Sequence, residues 1–110
     1  MESKLFVFAL LFGLAACAES VPDVTGTYRD KGKYIQRDYE ITRLEADPKK
    51  FKMVITERWR DNELKKNNVY TYTTQNKFCE ESTLSSCFTY DEKQQAIRLD
   101  GFENFFPKVN

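Results

Sequence analysis

Phe51-Lys52-Met53-Val54-Ile55-Thr56-Glu57-Arg58-Trp59-Arg60 is the stretch on which the fold turns. In an extended chain successive side chains point to opposite faces, which places Phe51, Met53, Ile55 and Trp59 together and Lys52, Thr56, Arg58 and Arg60 on the other side. Glu57 is the one charged residue on the apolar face. Alternation sustained in this way reads as a half-buried β-strand, and nowhere in the chain do apolar residues recur at the three-four spacing of an amphipathic helix.

Outward from this strand the same pattern repeats. On its N-terminal side, 34–44 puts Ile35, Tyr39 and Ile41 on one face and Gln36, Asp38, Glu40 and Thr42 on the other. Glu45-Ala46-Asp47-Pro48-Lys49-Lys50 joins the two strands with a proline and turn-forming acids, the composition of a hairpin connection. On its C-terminal side, Asp61-Asn62 and Asn67-Asn68 each offer the next reversal. Val69-Tyr70-Thr71-Tyr72-Thr73-Thr74 then has the residues that suit a pleated surface.

Further strands are expected at 24–29, at 77–79 and 87–90 on either side of a short loop, at 95–100 with Ile97 and Leu99 together, and at 102–109 after a reversal at Gly101. The expectation is all-β: a small antiparallel meander of about seven or eight strands, closed into a barrel or folded into a sandwich.

The amino-terminal segment reads as a targeting signal. Lys4 supplies a positive charge, and 5–14 is an apolar run broken only by Gly13. Its length is that of a signal h-region and falls well short of the roughly 20 residues needed to span a bilayer. Two processing routes are open. Leu14-Ala15-Ala16-Cys17 resembles the lipobox of bacterial lipoprotein precursors. That resemblance implies removal of 1–16, a diacylglycerol on the Cys17 sulfur and an acylated amino terminus. With Ala18 and Glu19 after the cysteine, and no aspartate directly following it, it also implies the outer membrane. Alternatively, Ala16-Cys17-Ala18 is an ordinary small-x-small site, and the protein is simply secreted. On the lipobox reading the chain divides into a signal peptide (1–16), a lipid-anchor tether (17–23) and a single β domain (24–110).

The β pattern itself is similar to small bacterial lipocalin-like domains. A Gly26-Thr27-Tyr28 opening strand, successive hairpins and a closing Ile97-Arg98-Leu99-Asp100-Gly101 followed by aromatic residues carry the resemblance. It implies a lipocalin-like barrel and a small apolar ligand. Tyr28 stands where lipocalins carry tryptophan, and the chain is short for that family, so a barrel filled by its own side chains is the competing arrangement.

Export also fixes the expected cysteine chemistry. With Cys17 lipidated or lost with the signal, Cys79 and Cys87 are the remaining pair, and an oxidising compartment with so short a spacing makes a local disulfide the default. No metal site is expected: there is no histidine, and two cysteines alone do not hold zinc.

Charge works by exclusion. The chain has 17 basic and 17 acidic residues, and loss of 1–16 removes one of each, Lys4 and Glu2. The signs are interspersed, and the short clusters Lys49-Lys50-Phe51-Lys52 and Lys65-Lys66 are those of turns or guarded strand edges, so nucleic-acid binding is not expected.

Nor is an enzyme or a cofactor. Without histidine the usual Ser-His-Asp and Cys-His arrangements are absent, and no Gly-x-Ser-x-Gly or phosphate-cradling loop appears. A carboxylate pair such as Glu40 and Glu57 across neighbouring strands is the remaining catalytic possibility. Solvated strand positions, or partners for Arg43 and Arg58, are the plainer account of those residues.

Tyr28, Tyr34, Tyr39, Trp59, Tyr70, Tyr72 and Tyr90 are many rings for a chain of 110 residues. Amphipathic rings on rigid strands suit contact surfaces, and they equally serve as core. Arg58, Trp59 and Arg60 form the candidate surface cluster, with the two arginines sharing a face. Two functions remain: a lipid-anchored envelope protein that binds another protein or a wall component, as accessory or as inhibitor or immunity module, and a lipocalin-like carrier of a small apolar ligand.

Overall fold

The computed structural model describes residues 20–81 and 86–110; the expected signal segment, Cys17 and the first part of the expected tether lie outside them. The strands are β1 (Gly26–Lys31), β2 (Gln36–Arg43), β3 (Lys50–Trp59), β4 (Asn62–Thr74), β5 (Lys77–Glu80), β6 (Cys87–Asp91), β7 (Ala96–Leu99) and β8 (Phe106–Pro107). They form one antiparallel sheet in which every strand pairs with its neighbour in sequence, from β1 to β8. A bridge between Tyr28 and Lys108 curls this meander into a nearly closed barrel. At that seam the Thr27 N–H donates to the Asn110 carbonyl (3.1 Å) and the Val109 N–H to the Thr27 carbonyl (2.7 Å).

Local chemistry sets the turns. Between β2 and β3, the Asp47 carboxylate accepts from the Lys49 N–H and the Asp47 carbonyl from the Lys50 N–H (2.9 and 3.1 Å). The β3–β4 reversal is Arg60-Asp61, a position earlier than Asp61-Asn62, and Arg60 takes a positive φ of 56°. Asn67-Asn68 makes no turn; both residues lie inside β4, which is 13 residues long and starts well before the Val69 expected to open it. Gln75 and Asn76, both at positive φ, close the β4–β5 hairpin.

The alternation places Tyr28, Tyr39, Ile41, Phe51, Met53, Tyr70, Tyr72, Phe78, Phe88, Tyr90, Ile97 and Phe106 in a single buried core. Rings fill it. Tyr39 stacks on Phe106 and Phe78 on Phe88, with centroids 5.4 and 4.9 Å apart, and Phe51, Tyr70 and Tyr72 pack obliquely around the second pair. The Tyr28 hydroxyl donates to the Val24 carbonyl (2.9 Å), which satisfies the polar end of a fully buried ring. Val21 also packs on this core, so the last residues of the expected tether lie against the barrel.

Cys79 and Cys87 stand directly opposite each other on β5 and β6 and are joined by a disulfide. On the chain-entropy model, closing so short a loop stabilises the fold by roughly 2.5 kcal/mol.

The barrel is lopsided. β1 to β4 have 6, 8, 10 and 13 residues, whereas β5 to β8 have 4, 5, 4 and 2. At ~3.3 Å per residue, the long strands run well past the short ones. They do so at the end away from the chain's entry, which lies beside Asp23 and Arg43 (3.9 Å apart).

Candidate functional site

The overhang of β1 to β4 carries the features that set this molecule apart. Its inner face continues the core alternation, but among the described residues Leu99 and Phe102, which stand across from it, cover it only in part. The strand register lays out Tyr28, Tyr39, Ile55 and Lys66 as one inner row, Asp30, Arg37, Glu57 and Leu64 as the next, and Trp59 with Asn62 at the rim. Glu57, the charged residue on an apolar face, is held by Arg37 (Nε–Oε2 2.9 Å), and Arg37 also reaches Asp30 (3.7 Å). Glu40 faces Val54 on the outer surface, so Glu40 and Glu57 lie on opposite sides of the sheet and form no carboxylate pair.

Where the short strands stop, these rows and the β7–β8 segment enclose a cleft of about 220 Å³ lined by Tyr39, Ile55, Leu64, Leu99 and Phe102, with Arg37, Glu57 and Lys66 on its walls. Burial pushes the Tyr39 hydroxyl at its floor up to about 12. Lys66 has no ion-pair partner among the described residues. A wider, shallower depression of about 370 Å³ lies near the opposite end, against Tyr90 and Asp91. Asp91 there is occupied in accepting hydrogen bonds from the Lys93 and Gln94 backbone.

The candidate cluster is split by the structure. Arg58 lies on the outer face in a ladder of charges: Asp38 accepts from Arg29 Nε (2.8 Å) and from Arg58 Nη1 (2.9 Å), and Glu63 stands 3.9 Å from Arg58. The Arg29 hydrogen bond, reinforced by that from Arg58, holds the Asp38 carboxyl below its ordinary range against the opposing effect of desolvation. Arg60 leaves the strand for the turn, and its guanidinium sits over the Trp59 ring, 4.8 Å from the centroid. The two arginines therefore do not share a strand face. Thr56, on the same face as Arg58, is buried between Asp38 and Lys65 on the flanking strands.

Trp59 and Arg60 instead belong to an exposed apolar rim. Tyr34 (74 % exposed), Trp59 (41 %), Leu64 (55 %) and Phe102 (41 %) all sit at this end; of the large hydrophobic residues exposed among those described, only Val109 lies elsewhere. Leu64 and Phe102 were not singled out by the sequence. The residues before Val69 are too polar to read as a strand, and only the β3–β4 register shows Leu64 facing inward opposite Glu57. Lys33 lies over the Tyr34 ring at 5.6 Å, so the β1–β2 and β3–β4 tips both pair a ring with a cation. No protein-family model, curated protein or solved structure matches the chain.

Proposed function

We propose that this chain is an exported, lipid-anchored envelope protein that binds another protein through the far end of its barrel, as an accessory subunit or as an inhibitor or immunity partner of a lytic enzyme or toxin. The gathering of Tyr34, Trp59, Leu64 and Phe102 at one end carries this reading. Exposed apolar patches rimmed by polar residues mark interaction sites, and tryptophan, tyrosine and arginine are the residues enriched where binding energy concentrates. The position fits a tethered protein. The chain enters the barrel beside Arg43, whereas Trp59 lies most of the length of β3 away, roughly 27 Å at ~3.3 Å per residue. An anchor on Cys17 leaves that end pointing outward, and acyl chains contributing ~0.8 kcal/mol per buried methylene hold it in place.

The carrier reading has less support. Stacked rings fill the interior, and the cleft at about 220 Å³ is smaller than the roughly 300 Å³ at which ligand pockets begin.

The experiment is a pull-down from envelope extract with the mature protein and with the double variant Trp59→Ala, Leu64→Asp. The expected outcome is loss of a specific partner with cooperative unfolding retained, because both residues are exposed, and with a small drop in melting temperature from the carboxylate set opposite Glu57. Full recovery of the partner by the variant removes this end from the site, and an apolar molecule co-purifying with the protein establishes the carrier instead. Anchoring is checked separately: mass spectrometry should find an acylated Cys17, and Cys17→Ser should move the protein from membrane to soluble fraction, whereas an unmodified terminus at Glu19 shows simple secretion.

A further inference from the structure

β4 has a free edge. β5 pairs with it only from Tyr70 onward, so 62–68 is hydrogen-bonded on one side, to β3, and no other described residue donates to or accepts from its backbone on the other. Two bonds fix which groups are left over. The Tyr72 N–H donates toward the β3 side, to the Lys49 carbonyl (2.8 Å), and the Val69 carbonyl accepts on the β5 side, from the Glu81 N–H (3.2 Å). Main-chain direction alternates along a strand. Even-numbered residues of this stretch therefore bond β3, and Glu63, Lys65 and Asn67 turn their N–H and C=O groups outward, where they have no partner among the described residues. The inner side chains beside this edge, Leu64 and Lys66, are a wall of the cleft.

We propose that this edge is where the partner docks: an extended acidic segment adds as a strand alongside 62–68 and lays its inward side chains into the cleft. This deepens the reading of the far end as a protein-binding surface and rests on it. Backbone pairing to Glu63, Lys65 and Asn67 supplies the attachment, and alternate side chains supply the selectivity. The cleft side asks for an apolar residue opposite Leu64 and, two positions along, an acid opposite the unpartnered Lys66. The outer side asks for an acid opposite Lys65 and a base opposite Glu63. Charge complementarity decides against a second copy centred on Lys65 or Lys66, since either register sets like charges face to face. Centring on Leu64 avoids the clash but, being antiparallel, turns the two chain entries to opposite ends, which a shared membrane anchor does not allow.

The test pans a displayed random-peptide library against the full chain and compares three variants. Lys65→Pro removes an outward N–H without touching a β3 bond, so the hairpin keeps its ladder. Lys65→Glu with Lys66→Glu keeps the backbone and reverses the charge. Trp59→Ala with Leu64→Asp disables the apolar surface. Enriched peptides should be acidic with an alternating apolar residue, should bind Lys65→Pro and the charge-reversed protein about tenfold or more weakly, and should protect the Glu63, Lys65 and Asn67 amides from hydrogen exchange. Peptides that bind Lys65→Pro normally but fail on the Trp59/Leu64 variant overturn the edge and leave the far end standing. Peptides indifferent to all three variants, or no enrichment at all, overturn both. A concentration-dependent dimer of the free protein that Lys65→Pro abolishes makes the occupant a second copy and overturns the acidic segment.

Discussion

Gly26 shows how much of the barrel hangs on single positions. It sits at φ 140°, and a Cβ there would meet the Lys108 side chain and lie 2.8 Å from the Asn110 carbonyl oxygen, at the seam where β1 receives the end of the chain. Gly26→Ala therefore combines an unfavourable backbone conformation with a steric conflict against main chain. The expected cost is about 1–3 kcal/mol, read as a lowered melting temperature. An Ala that melts like wild type would show that the seam gives way freely. At this scale the sequence was an uneven guide. Gly26-Thr27-Tyr28 was visible as a strand opening, but the approach of Lys108 depends on a contact some eighty positions away, which no local pattern carries. Glu57 was legible as an anomaly on an apolar face, and its resolution was not, because Arg37 lies on another strand and pairs with it only through register.

β3 separates core from cleft within one strand. Phe51 and Met53 are fully buried, whereas Ile55, on the same face, is only packed against the core and lines the cleft. Met53→Ala should destabilise by ~2–5 kcal/mol, and Ile55→Ala by clearly less, since a side chain already touching solvent leaves a smaller cavity. Denaturant melts of the two variants decide it; equal losses mean that the cleft closes over Ile55. The alternation that identified this strand was correct for facing as far as Trp59, failed at Arg60 where the strand ends, and was silent on depth, because depth depends on where the strands across the barrel stop. β4 was the element least legible. Its first half, Asn62-Glu63-Leu64-Lys65-Lys66-Asn67-Asn68, has little intrinsic tendency to extend, and pairing with β3 imposes the conformation. The β5–β6 pair was the reverse case: the short spacing and the expectation of an oxidising compartment sufficed to join Cys79 to Cys87.

For the molecule as a whole, the tyrosines set the upper pH limit. Burial raises the hydroxyls of Tyr28, Tyr39 and Tyr70, with Tyr39 at about 12, against about 10 for an unfolded tyrosine. The charged form is the one the fold excludes, so the stabilisation is complete below about pH 10 and disappears as pH rises from there toward about 12. Thermal melts should be insensitive to the tyrosines at neutral pH and fall steeply across that window, with the absorbance of the buried tyrosinates appearing together with unfolding. Tyrosinate that forms fully while the fold persists would contradict the placement of these rings.

Pairing in strict sequence order has a further consequence. From β1 to β8 every ladder joins neighbours along the chain, and among the described residues the main chain of the two ends is linked only at the seam, through Thr27, Tyr28, Lys108, Val109 and Asn110, beside the Tyr39–Phe106 stack. Most of the barrel can zip up from short-range contacts, leaving closure as the one step that must gather distant residues and bear the larger loop entropy. The same geometry lets the barrel be re-cut: with Asn110 already beside the start of β1, a circular permutant of the barrel that links Asn110 to Val24 and opens at the β6–β7 turn keeps every ladder while exchanging the last step of folding for a different one.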